Sequence, residues 1–421
     1  MGTGAPFRTP LAAELADDTL ERFLRYVRID TQSAHDAGTF PSTAKQLDLS
    51  RLLLEELHGL GLEDAELTEH GYVFATLPGA RDGPVVGLIA HVDTTPDTPG
   101  TGVKPIVHRT WEGSPIALPG DPRQVLDPEE LAELAERLGH DLVTSDGTTL
   151  LGADDKAGVA EIMAAVAYLS EHGEPPHATV RVAFTVDEEV GRGADFFDLE
   201  RFGADVAYTL DGHGVGQIEN ESFSAKAVDV AIRGVGAHPG YAKGRLVNAV
   251  KLAADLIAAL PRDGLSPETT DGREGFVHPS RIVGNTEEAM IHFIARDHDD
   301  TRLDEHVALL ERLARELEER EPRARVSVEI EHTYRNMRPF IEANPRVVEA
   351  AEEAGRRAGV EPRRAFIRGG TDGARLSERG LPTPNIFTGG QEYHSVREWA
   401  SVQDMAAAAA TIVELVRLWA E

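Results

Sequence analysis

Four apolar runs in this chain each lead into a side chain able to hold a metal ion. Residues 85–90 run into His91-Val92-Asp93, 180–186 into Asp187-Glu188-Glu189, 206–210 into Asp211, and 385–388, after a short loop, into His394. The runs are near-continuous rather than alternating, the mark of strands buried on both faces in a parallel sheet covered by helices. In such sheets ligands bind in the crevice at the carboxyl ends of the strands. Residues far apart in sequence therefore meet there. A fifth cluster, Gly152-Ala153-Asp154-Asp155-Lys156, precedes Val159, Ile162, Met163, Val166 and Leu169, whose spacing predicts a helix with one buried stripe. Two His and three acids from these clusters are ligands suited to Zn²⁺ or a similar divalent ion. One acid is left over to act on a bound water.

The other limits are set by size and composition. A chain of 421 residues exceeds the length at which one core stops growing, so two domains are expected. It has no cysteine, which excludes disulfides, thiolate ligands and a Cys nucleophile. A formal charge of −30 argues against nucleic acid or an anionic membrane as partner. Residues 1–10 lack an apolar signal core and no run approaches eighteen apolar residues, so a cytoplasmic enzyme is expected.

Strands and helices alternate through the first half. Helices are expected over 20–27 and 42–57, the second stopped by Gly59 and Gly61. Residues 96–149 read as a long irregular stretch with one helix starting at Asp127, where Pro128 and Glu130 supply N-terminal signals. Such a stretch beside a site forms part of a binding wall. From about Ser222 the pattern becomes strand 225–233, helix 246–260, strands 276–284 and 289–295, helix 302–320 and strand 325–331. That is a ferredoxin-like β-α-β-β-α-β unit. The expected fold is α/β: a catalytic domain with a mixed, mainly parallel sheet flanked by helices, formed by 1–222 and 334–421, and an inserted lid domain over 223–333. A helix over 402–419 closes the chain.

Singly, each site residue has an ordinary explanation. His91 could be a satisfied core histidine, and Asp154 or Asp211 a helix N-cap. The run Asp187-Glu188-Glu189 could be a solvated turn. Three consecutive acids after a buried strand nevertheless repel one another unless a cation compensates. The Gly-His-Gly-Val-Gly run at 212–216 lacks the full dinucleotide-loop fingerprint.

Longer motifs make the pattern specific. AHVDTTPD (90–97), TTLLGADDKAGVAEIM (148–163), FTVDEEVGRGAD (184–195), YTLDG (208–212), GVGAHPGYAKGRLVNAV (234–250), FIRGGTDGARLSERGLPTPNIFTGG (366–390) and YHSVREW (393–399) span almost the whole chain. With these segments the chain resembles the peptidase T family of tripeptide aminopeptidases. That family lies within the dizinc hydrolase superfamily that also holds aminoacylases and succinyl-diaminopimelate desuccinylases. Two departures stand out: Val186 where a proline is usual, and His213 where a second glycine is usual, at the rim of the site.

The resemblance implies two Zn²⁺ ions per subunit, one held by His91 and Asp211, the other by Glu189 and His394, with Asp154 bridging and followed by a cis peptide bond. Asp93 would orient the His91 ring. Glu188 would be the general base for attack of a metal-bound hydroxide on a small peptide. His238 resembles a family histidine that stabilises the oxyanion, and Asn248, Arg296 and Arg368 are further substrate-binding candidates. A guanidinium suits the peptide's C-terminal carboxylate, and Arg368 is expected on the catalytic side. The resemblance also allows a homodimer through the inserted domain. Competing expectations are a dipeptidase or an N-acyl-amino-acid deacylase of the same chemistry, and a non-catalytic peptide-binding relative. Retention of Glu188 argues against the last.

Overall fold

A computed structural model describes residues 5–79, 83–173 and 175–421, so the first four residues of the amino-terminal segment lie outside it. The chain divides into two compact units. One comprises Met1–Asn220, Phe340–Ala365 and Thr371–Glu421; the other comprises Glu221–Pro339 and Phe366–Gly370. The second unit thus takes in a short return segment that sequence patterning assigns to the catalytic part. Its anchor is local: Ile367 N–H donates to the Glu221 carbonyl at 2.9 Å.

The first unit is built on an eight-stranded sheet in the order Glu66–Leu67, Val73–Leu77, Val180–Thr185, Val86–His91, Val206–Gly212, Asn385–Phe387, Gln217–Glu221, Arg363–Phe366. The four central strands run parallel, and antiparallel strands flank them. The apolar runs occupy this centre, fully buried from Val86 to His91. The strand expected over 206–210 continues through Gly212, so Asp211 lies within it.

Helices Pro10–Tyr26, Ala153–Glu171 and Val402–Leu418 pack on one another, and the middle one also lies against the strands that carry His91 and Asp211. The first begins well before the expected 20–27 because Thr9 caps it and Pro10 occupies its first turn. Helix Ala153–Glu171 is buried on nearly every side rather than along one stripe. Its small residues explain this. A Cβ on Gly158 would lie 1.9 Å from the Leu210 carbonyl oxygen, so glycine lets the helix rest on the strand.

Residues 96–149 are more ordered than expected. Ile106–His108 and Leu142–Thr144 join Trp399–Ser401 and Gly390–Gln391 in a small four-stranded sheet. Beneath it Trp111, Ile116, Leu118, Leu126, Leu134, Leu142 and Trp399 form a separate buried cluster. Each fully buried large apolar side chain there contributes about 1.5–3 kcal/mol. The helix expected from Asp127 is instead a turn, in which Asp127 Oδ1 accepts from Glu129 N–H, followed by only Ala132–Ala135 in helix. Asx-turn bonding competes with the capping box here and wins.

The second unit has the order Ser224–Arg233, Ala249–Ala258, Phe276–Gly284, Glu288–Asp297, Asp300–Arg320, Arg325–Tyr334, a β-α-β-β-α-β succession. Its antiparallel sheet runs Phe276–Gly284, Glu288–Asp297, Ser224–Arg233, Arg325–Tyr334, with both helices against it. Among the described residues no helix is long and apolar enough to cross a membrane.

Candidate metal centre

His91 ends its strand 3% exposed, and its Nε2 lies 3.0 Å from Asp154 Oδ1 and 3.8 Å from Asp211 Oδ1. On the other side His394 Nε2 lies 3.2 Å from Asp154 Oδ2 and 2.9 Å from Glu189 Oε2. Two three-donor groups result, His91/Asp154/Asp211 and Asp154/Glu189/His394, the donor atoms of each within 4.8 Å of one another. Asp154 presents one oxygen to each. Donors of these types gathered this closely suit a zinc-like ion.

Local backbone geometry aims these side chains. The Asp154–Asp155 peptide bond is cis, and residues 154 and 155 depart from helical dihedrals although they stand in the first turn of Ala153–Glu171. Asp187, Glu392 and His394 have φ of 60°, 56° and 57°, a left-handed conformation that costs about 1–2 kcal/mol away from glycine. Strain of this kind collects where side chains must be aimed.

Charge in the cluster is finely placed. Hydrogen bonds to Asp154 and Glu189 push His394 up to about 11. Burial opposes a charge on His91, yet Asp154, Asp211 and Asp93 hold its pKa well above the ordinary value. Burial beside Asp154 pushes Glu189 up to about 8, and burial likewise raises Asp211. Glu188 is pushed well above the carboxylate range by burial and by the charges of Asp211, Asp372 and Glu189. Burial and mutual repulsion thus make these acids call for added positive charge. Glu189 Oε1 is buried with no hydrogen-bond partner among the described residues. An orphaned carboxylate oxygen on a member of the Asp154/Glu189/His394 group fits a divalent cation, for which His would serve as neutral ligand.

Asp93 has a wider role than expected. His91 Nδ1 lies 3.0 Å from the Asp93 carbonyl oxygen and 3.4 Å from its carboxylate. That carboxylate accepts the backbone N–H groups of Glu188 at 3.0 Å and Glu189 at 3.2 Å. One residue therefore orients His91 and the acidic turn together. The repulsion expected among the three consecutive acids is relieved at Asp187 by hydrogen bonding and by Arg192, whose Nη1 lies 3.9 Å from Asp187 Oδ2, rather than by a metal ion. Its buried carboxylate turns to the Ser42 N–H at 2.6 Å, the Ser42 hydroxyl and the Gln46 side-chain amide at 2.6 Å. Asp187→Ala would strand these donors and should lower stability by about 2–3 kcal/mol, seen as a reduced urea midpoint. An unchanged midpoint would show that water replaces the carboxylate.

Sequence reasoning passes over Glu398. It is 1% exposed and accepts from Leu151, Gly152 and Asp154 N–H groups at 2.7, 2.6 and 3.0 Å. It stands inside the YHSVREW motif, but nothing in its spacing distinguishes it from a surface acid. His213, the departure from the family pattern, pairs with Glu219 at 3.1 Å and rests against Tyr393, with ring centroids 5.2 Å apart.

The remaining candidates, His238, Asn248, Arg296 and Arg368, all belong to the second unit. For Arg368 this differs from the expected catalytic side, because its guanidinium bonds Gly272 O at 3.0 Å and Thr270 Oγ1 at 2.9 Å. Arg296 Nη1 donates to the Arg368 carbonyl at 3.3 Å while its Nε is buried without a partner among the described residues. Both guanidiniums lie 5.9 Å from the Phe276 ring centroid. His238 is exposed and caps a short turn, its Nδ1 accepting from Gly240 N–H. The Asn248 oxygen caps helix Ala249–Ala258 through Lys251 N–H.

Comparison with known proteins shows the family. Residues 135–418 match the model of peptidase family M20/M25/M40. Peptidase T of Geobacillus thermodenitrificans (strain NG80-2) is 46% identical over 407 residues, 96% of this chain and 99% of its own. The crystal structure of aminopeptidase PepT from Bacillus cereus ATCC 10987 superposes with a TM-score of 0.72 at 25% identity, covering 96% of this chain and 99% of that one. A Bacillus subtilis protein described as a dinuclear metal binding peptidase, YXEP, shares the fold with a TM-score of 0.63 at 16% identity, covering 96% and 98%.

Proposed function

Since the chain belongs to peptidase family M20/M25/M40 and is a hydrolase, we propose that it is a dizinc aminopeptidase releasing the N-terminal residue of tripeptides. The observation that carries this reading is Asp154, which faces an imidazole-acid group with each of its oxygens, beside a Glu188 that neither group uses. The substrate class follows the relatives named peptidase T. His91 and Asp211 would hold one ion and Glu189 and His394 the other, with Asp154 shared. Bound there, the ions would polarise the scissile carbonyl and lower the pKa of a water from 15.7 to roughly 7.

The chain's own residues supply the rest. Glu188 takes a proton from the attacking water at its carboxylate and delivers it to the leaving amine nitrogen as the C–N bond breaks. Asp93 keeps the His91 ring and the 188–189 backbone in place. Arg296 and Arg368 are assigned the substrate's C-terminal carboxylate, His238 the oxyanion, and Asn248 a polar contact to the peptide.

A hydrolysis screen tests substrate length and both ends of the peptide, with matched di-, tri-, tetra- and N-acetylated peptides, with and without Zn²⁺. Tripeptides with free termini should be preferred. Amidating the tripeptide's C terminus should lower kcat/KM by about 10–100-fold, the worth of charge-assisted hydrogen bonds. The penalty should shrink in Arg296→Ala or Arg368→Ala. Comparable rates on tripeptide, its amide and longer peptides would indicate a broad aminopeptidase, and a preference for N-acetylated substrates a deacylase.

A further inference from the structure

We propose that Glu398 is the positioning residue that fixes the spacing between the two donor groups, an inference that rests on reading the cluster as a two-ion centre. Its carboxylate is buried and grips a single turn three times, through Leu151 and Gly152 N–H at Oε2 and Asp154 N–H at Oε1. That turn presents the shared Asp154. Glu398 itself stands four residues after His394, on the segment held by the small sheet through Gly390–Gln391 and Trp399–Ser401. One side chain therefore ties the backbone of one donor to the segment bearing another, and the two donors stand 3.2 Å apart. No other described side chain accepts a hydrogen bond from the backbone N–H of Asp154.

The chemistry demands a carboxylate. Both oxygens of an ionised carboxylate accept, whereas an amide of the same shape offers one acceptor and an N–H₂ group. In Glu398→Gln that N–H₂ would face backbone N–H donors, so one half of the grip is lost with volume preserved. Asp154 should then lose its aim toward His394 and Glu189 more than the chain loses its fold. Groups that orient metal ligands in this way are worth about 10–100-fold in metal affinity.

The experiment uses the full chain, stripped with chelator and titrated with Zn²⁺ by calorimetry and with Co²⁺ by visible absorption, alongside melting of the metal-free protein. Wild type is read first: fewer than two ions there would sink the two-ion reading itself, independently of Glu398. With two ions in wild type, metal-free E398Q is expected to fold and melt cooperatively, a few degrees below wild type, because buried backbone donors lose their acceptor. Its weaker ion should bind about 10–100-fold less tightly, with altered Co²⁺ bands. Both ions bound with wild-type affinity and an unchanged Co²⁺ spectrum would overturn the proposal. If E398Q does not fold, E398D carries the same test, since it keeps the charge but shortens the reach. Wild-type metal binding in E398D, or failure of both variants to fold, would overturn it too, making Glu398 a residue of the core alone.

Discussion

Glu188→Gln should lower kcat by about 10²–10⁴-fold, the usual contribution of a positioned general base, while both ions remain bound. The amide keeps the size of the side chain but cannot take the water's proton. Glu188 makes no side-chain hydrogen bond among the described residues and stands outside both donor groups, so its loss should leave the centre assembled. Glu189→Gln should behave differently. It replaces a charged donor of the Asp154/Glu189/His394 group, so the second ion should weaken first and excess Zn²⁺ should restore part of the activity. Steady-state kinetics beside metal analysis separates the two. Near-normal turnover of Glu188→Gln at full metal occupancy would remove Glu188 from the proton transfer.

Asp154→Ala should have the broader effect, because each of its oxygens serves a different donor group. Each ion would keep a single imidazole and a single carboxylate from the five donors, and both should be lost at micromolar Zn²⁺. Loss of the ions' charge stabilisation, several kcal/mol, corresponds to an activity loss of about 10³-fold or more. Metal content after equilibrium dialysis is the direct measurement. One ion retained at wild-type affinity would show that Asp154 serves only one group.

Much of this centre is legible in the amino-acid sequence, for a physical reason. A strand buried on both faces must be apolar throughout, so the polar residue that ends it is conspicuous, as at His91 and at the Asp187 turn. Partners of backbone groups leave no such mark. Glu398 binds three N–H groups some 250 residues upstream, and sequence spacing cannot express that. Asp187 groups with its acidic neighbours in the sequence because periodicity says nothing of the left-handed turn that points it at Ser42 and Gln46. Residues 96–149 read as irregular because their strands are two or three residues long and pair across long sequence distances. Arg368 departs from its expected place for a similar reason: five residues leave the returning chain to join the second unit. The β-α-β-β-α-β succession is easier to read, since each of its elements is long and strongly periodic.

The strand order carries a consequence for how such a hydrolase comes into being. Asn385–Phe387 lies between Val206–Gly212 and Gln217–Glu221, two strands separated by a few residues of chain. During synthesis the earlier pair must wait, side by side but unjoined, while some 160 further residues are made. Only then does the missing strand arrive, and His394 and Glu398 arrive just behind it. A chain still on the ribosome, or one cut short before that point, holds His91, Asp154, Glu189 and Asp211 but lacks His394, which completes the second donor group, and Glu398. It also leaves two sheet edges unpaired, the surface through which unfinished chains aggregate or are recognised for removal. Assembly of both donor groups therefore has to await the segment that bears His394 and Glu398, a dependence written into strand order.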